Sequence, residues 1–141
     1  CALLQSNAIR CWGQGKVGQR GDGSEVVIGL TPVQVSGIST ATSVVAASDS
    51  SCALLTGGQV VCWGSNTESQ LGVGALAKVS TPTLVPNLFN TVAIGAGYGR
   101  TCAVSFGGQV RCWGTGTGGE LGNGYPWTNF PIAVAWPSAA P

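Results

Sequence analysis

The sequence contains no histidine and no methionine, and only 8% of its 141 residues are charged. Without histidine, any general base would have to be one of five carboxylates, and these are scattered along the chain. They are Asp22, Glu25, Asp49, Glu68 and Glu120. No serine or cysteine lies in a motif that supplies an activating partner. We therefore expect that the chain is not an enzyme and uses no cofactor.

Clustered positive charge is also missing, since six Lys or Arg residues are set against five Asp or Glu. Nucleic-acid binding requires such clusters to neutralise phosphates, so we expect no nucleic-acid partner. A low charge disfavours the solubility of a free monomer. It suits a chain that is buried in a larger protein or assembly.

Long apolar runs and helical apolar periods are absent as well. Nearly uncharged stretches such as 91–98 are short and broken by glycine, so we expect no membrane insertion by this segment. The 23 glycines, with Ser, Thr and Asn between short apolar runs, indicate many short strands joined by tight turns. Because the chain opens on Cys1 and not on Met, we expect a processed product or a fragment.

A unit of about fifty residues occurs three times. Each copy contains Cys-Ala-Leu-Leu or a variant, then Cys-Trp-Gly ten residues later, then a glycine-rich loop and a strand that begins with proline. Two copies also contain a strand of small residues, at 44–47 and 94–97. We place the repeats at approximately 1–51, 52–101 and 102–141.

Four short strands in a period of about fifty residues are typical of a β-propeller blade. The proline strands, at 32–35, 82–85 and 131–134, belong at a sheet edge because proline cannot donate to a ladder. The small strand fits near the central axis, with a flexible Gly-Ala loop as the alternative. We therefore predict an all-β fold in which residues 1–141 form part of one propeller domain, about three four-stranded blades.

Blade boundaries follow if each proline strand opens a blade. The complete blades are then predicted at 32–63 and 82–113, and the chain ends after the first strand of another blade, near Trp136. Because a propeller closes with about four or more blades, we expect the rest of the ring from the same polypeptide or from neighbouring molecules.

The motifs Cys-Ala-Leu-Leu, Gly-Gly-Gln-Val, Cys-Trp-Gly, Gln-Leu-Gly-x-Gly and Pro-x-x-Val resemble the repeats of the regulator of chromosome condensation family, in the version with paired cysteines. The resemblance covers essentially the whole chain and implies a propeller, commonly of seven blades. Crinkly-type receptor ectodomains of plants are similar. Family members often have His two residues before the first Cys, where this chain has Ser50 and Arg100.

The ten-residue spacing of the cysteines predicts a hairpin. Folding 52–62 symmetrically pairs Leu55 with Gln59 across a three-residue turn, whose left-handed position should be Gly or Asn. The residues there are Gly58, Gly108 and Asn7. The same register sets the two cysteines opposite each other, with Cα atoms about 4.5–5.5 Å apart, within disulfide range.

We therefore predict three disulfides and, from them, an oxidising compartment: a secreted or cell-surface protein. The pairs are Cys1–Cys11, Cys52–Cys62 and Cys102–Cys112. A metal site is one alternative, but close Cys-x-x-Cys spacing and histidine are missing, and Asp22 with Glu25 supplies too few oxygens for calcium. Free buried thiols are the other alternative.

Aromatic residues in the third repeat are the candidates for binding. Tyr125, Trp127 and Phe130 interrupt an otherwise polar loop, and Tyr98 with Arg100 forms a second candidate patch. The alternative is that the loop aromatics cover the edge of their own blade. We expect the Cys-Trp-Gly tryptophans to pack between blades, in preference to stacking on a ligand.

These observations leave several functions open, because a fold does not fix a function. We expect an extracellular propeller that serves protein interaction or structural assembly within a larger protein. Propeller-type β-lactamase inhibitor proteins resemble this fold, so a protein inhibitor or a carbohydrate-binding propeller is the alternative. Guanine-nucleotide exchange, the activity of the founding family, fits less well because it belongs to a reducing compartment.

Overall fold

The computed structural model describes residues 1–136, which form eleven β-strands and no helix in that range. The strands are β1 Ala2–Leu3, β2 Ile9–Gln14, β3 Ile28–Gln34, β4 Ala41–Ala46, β5 Ser50–Leu55, β6 Val60–Ser65, β7 Lys78–Leu84, β8 Thr91–Gly97, β9 Arg100–Ser105, β10 Val110–Thr115 and β11 Trp127–Ala133. Residues 1–136 therefore contain no helix that is long and apolar enough to cross a membrane.

The strands form three antiparallel sheets, and within each sheet neighbours in sequence are neighbours in space. We call β1–β2–β3 the first blade, β4–β5–β6–β7 the second blade and β8–β9–β10–β11 the third blade. The small-residue strands β4 and β8 lie at one edge of their sheets, and the proline strands β3, β7 and β11 lie at the other. The predicted all-β architecture of propeller blades and the edge placement of the proline strands are confirmed.

The predicted blade boundaries are wrong. The proline strand closes a blade and does not open one, because β7 pairs with β6 of its own sheet, with Val61 opposite Leu84. The two complete blades therefore span 41–84 and 91–133. Because proline lacks an N–H, it requires only that one side of its strand be unpaired. That requirement is met whether the proline strand is the first or the last strand of its blade.

Each blade carries the predicted hairpin. The amide of Leu55 donates to the carbonyl oxygen of Gln59 (2.8 Å), and Gly58 adopts a left-handed φ of 80°. Asn7 and Gly108 take the same conformation, with φ of 61° and 79°. Only glycine and, at some cost, asparagine enter this region readily, so the turn fixes the register of the pair.

That register sets the cysteines of a blade opposite each other, as Cys52 is opposite Cys62. All three predicted pairs are bonded, namely Cys1–Cys11, Cys52–Cys62 and Cys102–Cys112, and their Cα atoms lie 4.0–4.1 Å apart. In the second and third blades the bond therefore joins the two central strands of the sheet, and in the first blade it joins β2 to the residue before β1.

The core lies between the sheets. One apolar cluster joins the first and second blades, and a second cluster joins the second and third blades. In the second cluster Cys52 and Cys62 lie against Ala103 and Trp113 of the next blade. Each disulfide of the first two blades is thus part of the contact with the following blade.

Antiparallel connections alternate between the two ends of the strands, which gives the array two faces. The loop face carries the long connections 15–27, 66–77 and 116–126 and the short turns 47–49 and 98–99. The turn face carries the cysteine hairpin turns 4–8, 56–59 and 106–109 and the segments 35–40 and 85–90 that link one blade to the next. Both names are used in this sense below.

Candidate functional site

Three of the candidate aromatic residues lie exposed on the loop face of the third blade. Tyr98 occupies the short turn before β9, Tyr125 the long loop before β11, and Trp127 the first position of β11. Their side chains are 74%, 58% and 59% exposed. Exposed aromatic side chains on connections between fixed strands are typical of binding surfaces.

The structure sets these aromatics in separate depressions. Tyr98 lines a polar cleft between the second and third blades, with Asp49 and Glu68 on the other side. Tyr125 lines a shallow depression that the glycines of its own loop form. The sequence-predicted residues thus share a face of one blade without forming a single pocket.

Arg100 is held within its blade. Its guanidinium lies 3.1 Å from Glu120, and its Nε donates to the carbonyl oxygen of Tyr98 (3.2 Å). The pKa of the Glu120 carboxyl is lowered because the carboxylate accepts hydrogen bonds from the backbone amides of Glu120 itself and of Gly118, and because Arg100 lies beside it. Arg100 therefore anchors the turn that carries Tyr98.

Phe130 has a structural contact that the other candidates lack. A Cβ added to Gly74, in the loop of the second blade, would lie 3.3 Å from the Cζ atom of Phe130. The amide of Gly74 also donates to the carbonyl oxygen of Asn129 (3.3 Å). Phe130 thus covers the loop of the preceding blade, a variant of the alternative structural role considered above.

The recurrent tryptophans join the blades, as predicted. Trp63 and Trp113 are fully buried, and their indole N–H groups donate to the carbonyl oxygens of Gln19 (3.0 Å) and Gln70 (2.9 Å) in the loop of the preceding blade. Trp12, in the first blade, is 49% exposed. Ligand stacking by the two buried rings is excluded.

The long loops are locked by one position that recurs in each. The Gln19 side chain accepts from the amide of Val17, Gln70 accepts from that of Glu68, and Glu120 accepts from that of Gly118, at 2.8–3.0 Å. Because the third loop has Glu where the others have Gln, it can hold both the amide and Arg100.

Three charged residues of the first loop, Arg20, Asp22 and Glu25, take part in ion pairs. Arg20 lies 3.1 Å from Asp22, and Glu25 lies 2.6 Å from Lys78 of β7. Within residues 1–136, no three side chains of the His, Cys, Asp or Glu type come together as metal ligands would.

One cavity escaped the sequence analysis. It lies on the turn face of the third blade, and Phe89, Phe106 and Arg111 line it. The signal that could have found it is a comparison of each position with the one fifty residues earlier, because a different kind of residue stands there in each case: Ser39, Thr56 and Val61.

Two family models match the sequence. The model of the regulator of chromosome condensation (RCC1) repeat matches residues 57–104, and a second model of the same repeat matches residues 41–70. No curated protein matches the chain. The matched segments contain both Cys-Ala-Leu-Leu of the second repeat and the small-residue strand of the third.

Similar solved structures have the same fold. Yeast RCC1 (Prp20), in a complex with Kap60, matches with 21% identity and a TM-score of 0.81 over 95% of this chain and 34% of its own. Prp20p of Saccharomyces cerevisiae, described with its binding to Gsp1p and histones, matches with 24% identity and a TM-score of 0.83 over 95% of this chain and 35% of its own.

Human WBSCR16 matches with 22% identity and a TM-score of 0.79, over 93% of this chain and 34% of its own. The chain thus spans about a third of the length of each of these proteins. At these identities the likeness concerns the fold. The family models identify RCC1 repeats within residues 41–104, and the solved structures show that the chain has the blade fold of these proteins.

Proposed function

We propose that the chain is part of an extracellular, non-enzymatic β-propeller that binds a protein partner through the loop face of its third blade. The observation that carries this proposal is the exposure of Tyr98, Tyr125 and Trp127 on one face of a rigid blade. Aromatic residues are enriched among those that dominate binding energy at protein interfaces. A partner that spans both depressions would contact Tyr98 and Tyr125.

Rigidity supports this role, because ordering a loop on binding costs free energy. The turn that carries Tyr98 is fixed by Arg100, and the loop that carries Tyr125 is fixed by Glu120. The aromatic side chains are therefore presented on backbone that is already ordered.

The disulfides support an extracellular setting. Bonds of this kind form and persist in secreted and cell-surface proteins and are rare where thiols are kept reduced. Each of the three blades contains one. A repeat of the same bond in every blade favours a structural role over a transient redox role.

Nucleotide exchange on a small GTPase is the second candidate, because the fold resembles that of Prp20p, described with its binding to Gsp1p. The same disulfides weigh against it, since such exchange takes place in a reducing compartment. If it were the function, the protein should act with its cysteines reduced.

A site-specific crosslink tests the proposed surface. A photoreactive phenylalanine analogue is placed at Tyr125 in the full polypeptide, and in a matched sample at Leu30, which is 90% exposed on the outer edge strand of the first blade. We expect a discrete protein adduct from position 125 only.

Tyr98→Ala with Trp127→Ala should then reduce the adduct about tenfold or more, as the loss of two interface aromatics would, and Leu30→Ala should not. Equal adducts from both positions would disprove the surface. Thiol mapping of the polypeptide as secreted tests the compartment separately, because free cysteines there would contradict an extracellular role.

A further inference from the structure

The third blade contains a cavity of about 210 Å³ at its turn face, between the segment 85–90 and the β9–β10 hairpin. It lies at the junction of two complete blades and not at an open end of the array, because Ala103 in its wall packs against the second blade. Its shape is therefore set by residues of this chain.

The second blade has different residues at the equivalent positions. The positions equivalent to Ser105 and Arg111 are Leu55 and Val61, fifty residues earlier. Val61 is buried in the cluster between the first and second blades, and Leu55 packs against that cluster. In the third blade a shorter polar side chain and a cation replace two apolar side chains, so the space is open.

At the rim of the cavity, by contrast, apolar residues stand where earlier repeats have polar ones. Phe106 stands where the second repeat has Thr56, and Phe89 stands where the first repeat has Ser39. The two phenyl rings are 85% and 77% exposed. Exposed phenylalanine is unfavourable for solubility, and here it coincides with a polar interior. Three departures that converge on one cavity, at Phe89, Ser105 and Phe106, are difficult to explain by packing.

Charge is distributed unequally between the two faces. All carboxylate side chains of the sequence belong to connections on the loop face, and they are Asp22, Glu25, Asp49, Glu68 and Glu120. Arg10 and Arg111, by contrast, lie near the turn-face ends of β2 and β10. The turn face is therefore positive where the cavity opens.

The guanidinium of Arg111 keeps donors for a ligand. Its Nε donates to Oε1 of Gln109 (3.0 Å), which orients the planar group. None of the ion pairs found in residues 1–136 involves Arg111. A guanidinium fork matches a carboxylate, with which it can form two parallel hydrogen bonds.

We propose that this cavity binds an apolar side chain and a neighbouring carboxylate that an extended segment of a protein partner presents. The apolar side chain would lie between Phe89 and Phe106, and the carboxylate would accept from Arg111. At about 210 Å³ the cavity is smaller than the roughly 300–1,000 Å³ of sites for drug-sized ligands. It fits one or two side chains. This site is distinct from the loop-face surface proposed above.

Saturation-transfer NMR on short peptides tests the proposal with the full polypeptide. The probe is the capped tetrapeptide Ac-Ala-Phe-Glu-Ala-amide, and its counterpart has Gln in place of Glu. We expect transfer to the phenyl ring of the first peptide and binding about tenfold weaker or more for the second, because the hydrogen bonds to Arg111 lose their ionic partner.

Two variants introduce the residues found fifty positions earlier in the chain. Ser105→Leu with Arg111→Val fills the cavity and should abolish transfer. Phe89→Ser with Phe106→Thr alters only exposed rim residues and should weaken binding. This second variant keeps the test valid if the first folds poorly. Trp127→Ala, on the loop face, should leave the signal unchanged. Equal binding of both peptides, or signals that persist in the two double variants, would overturn the proposal. So would transfer confined to chitotriose or cellotriose, which would identify a carbohydrate site.

Discussion

At the scale of single residues, the glycine of the Gln-Leu-Gly loop motif shows how a repeat preserves a contact between blades. Gly72 lies under the indole of Trp113, so closely that an added Cβ would be 2.6 Å from Nε1. Gly21 lies under Trp63 in the same way, at 2.7 Å. Both glycines are left-handed, with φ of 70° and 72°. The motif thus serves the tryptophan of the next blade as well as its own loop.

A pair of alanine substitutions separates the cost of the left-handed conformation from the cost of the contact with the indole. Gly72→Ala should destabilise the protein by about 2–4 kcal/mol, because a left-handed alanine costs about 1–2 kcal/mol and the clash with Trp113 adds a similar overpacking term. Gly37→Ala is the control, since Gly37 has the same φ of 70° and no atom within 4 Å of the added Cβ. Urea unfolding followed by tryptophan fluorescence measures the free energy of unfolding of both variants. Equal losses would show that the indole of Trp113 moves aside at no cost in stability.

At the scale of the strand pair, the disulfide and the hairpin turn perform complementary tasks. The left-handed turn residue fixes the register, and that register sets the cysteines opposite each other. The bond then prevents the short hairpin from opening. A blade with few charges and many glycines gains order from this closure that its own small core does not supply.

Removal of one bond tests the size of this contribution. Cys52→Ala with Cys62→Ala should lower the free energy of unfolding by about 2–3 kcal/mol, the chain-entropy value for a loop of this length. Cys102→Ala with Cys112→Ala is matched in sequence separation, which is 10 in each case. A much larger loss in the second blade, measured by urea unfolding, would assign the effect to the lost packing against Trp113 and not to the crosslink.

At the scale of the whole molecule, the three blades leave apolar surface at both ends of the array. Trp12 is 49% exposed, although the equivalent Trp63 is fully buried. On the last blade Val104 and Val110 are half-buried, whereas the equivalent Leu54 and Val60 are covered by the next blade. Arrays of repeats require caps on such faces, and these faces fit further blades of the same kind.

Residues 1–141 produced alone should therefore not behave as a well-folded monomer. We expect self-association in sedimentation and a broad thermal transition, because apolar end faces remain in water. The full polypeptide, in which further blades would cover them, should be monomeric at the same concentration and melt cooperatively. A monomeric and cooperative 141-residue fragment would contradict the propeller-fragment interpretation.

Much of this architecture could be predicted from the sequence because its signals are local. The turn residues Asn7, Gly58 and Gly108 fix a hairpin register, and the register fixes the disulfides. Proline marks a sheet edge because it lacks one donor. The blade boundaries could not be predicted, because a proline strand at a sheet edge can be either the first or the last strand of its blade.

The sequence by itself determined the repeat, the class of fold, the cysteine pairs and the packing of Trp63 and Trp113 between blades, because each depends on spacing within one or two repeats. Only the tertiary structure decided that Phe130 covers the loop of the second blade and that Trp127 is 59% exposed. It also decided that Phe89, Ser105, Phe106 and Arg111 surround one cavity. These residues belong to separate elements, and only the packing of one blade on the next brings them together.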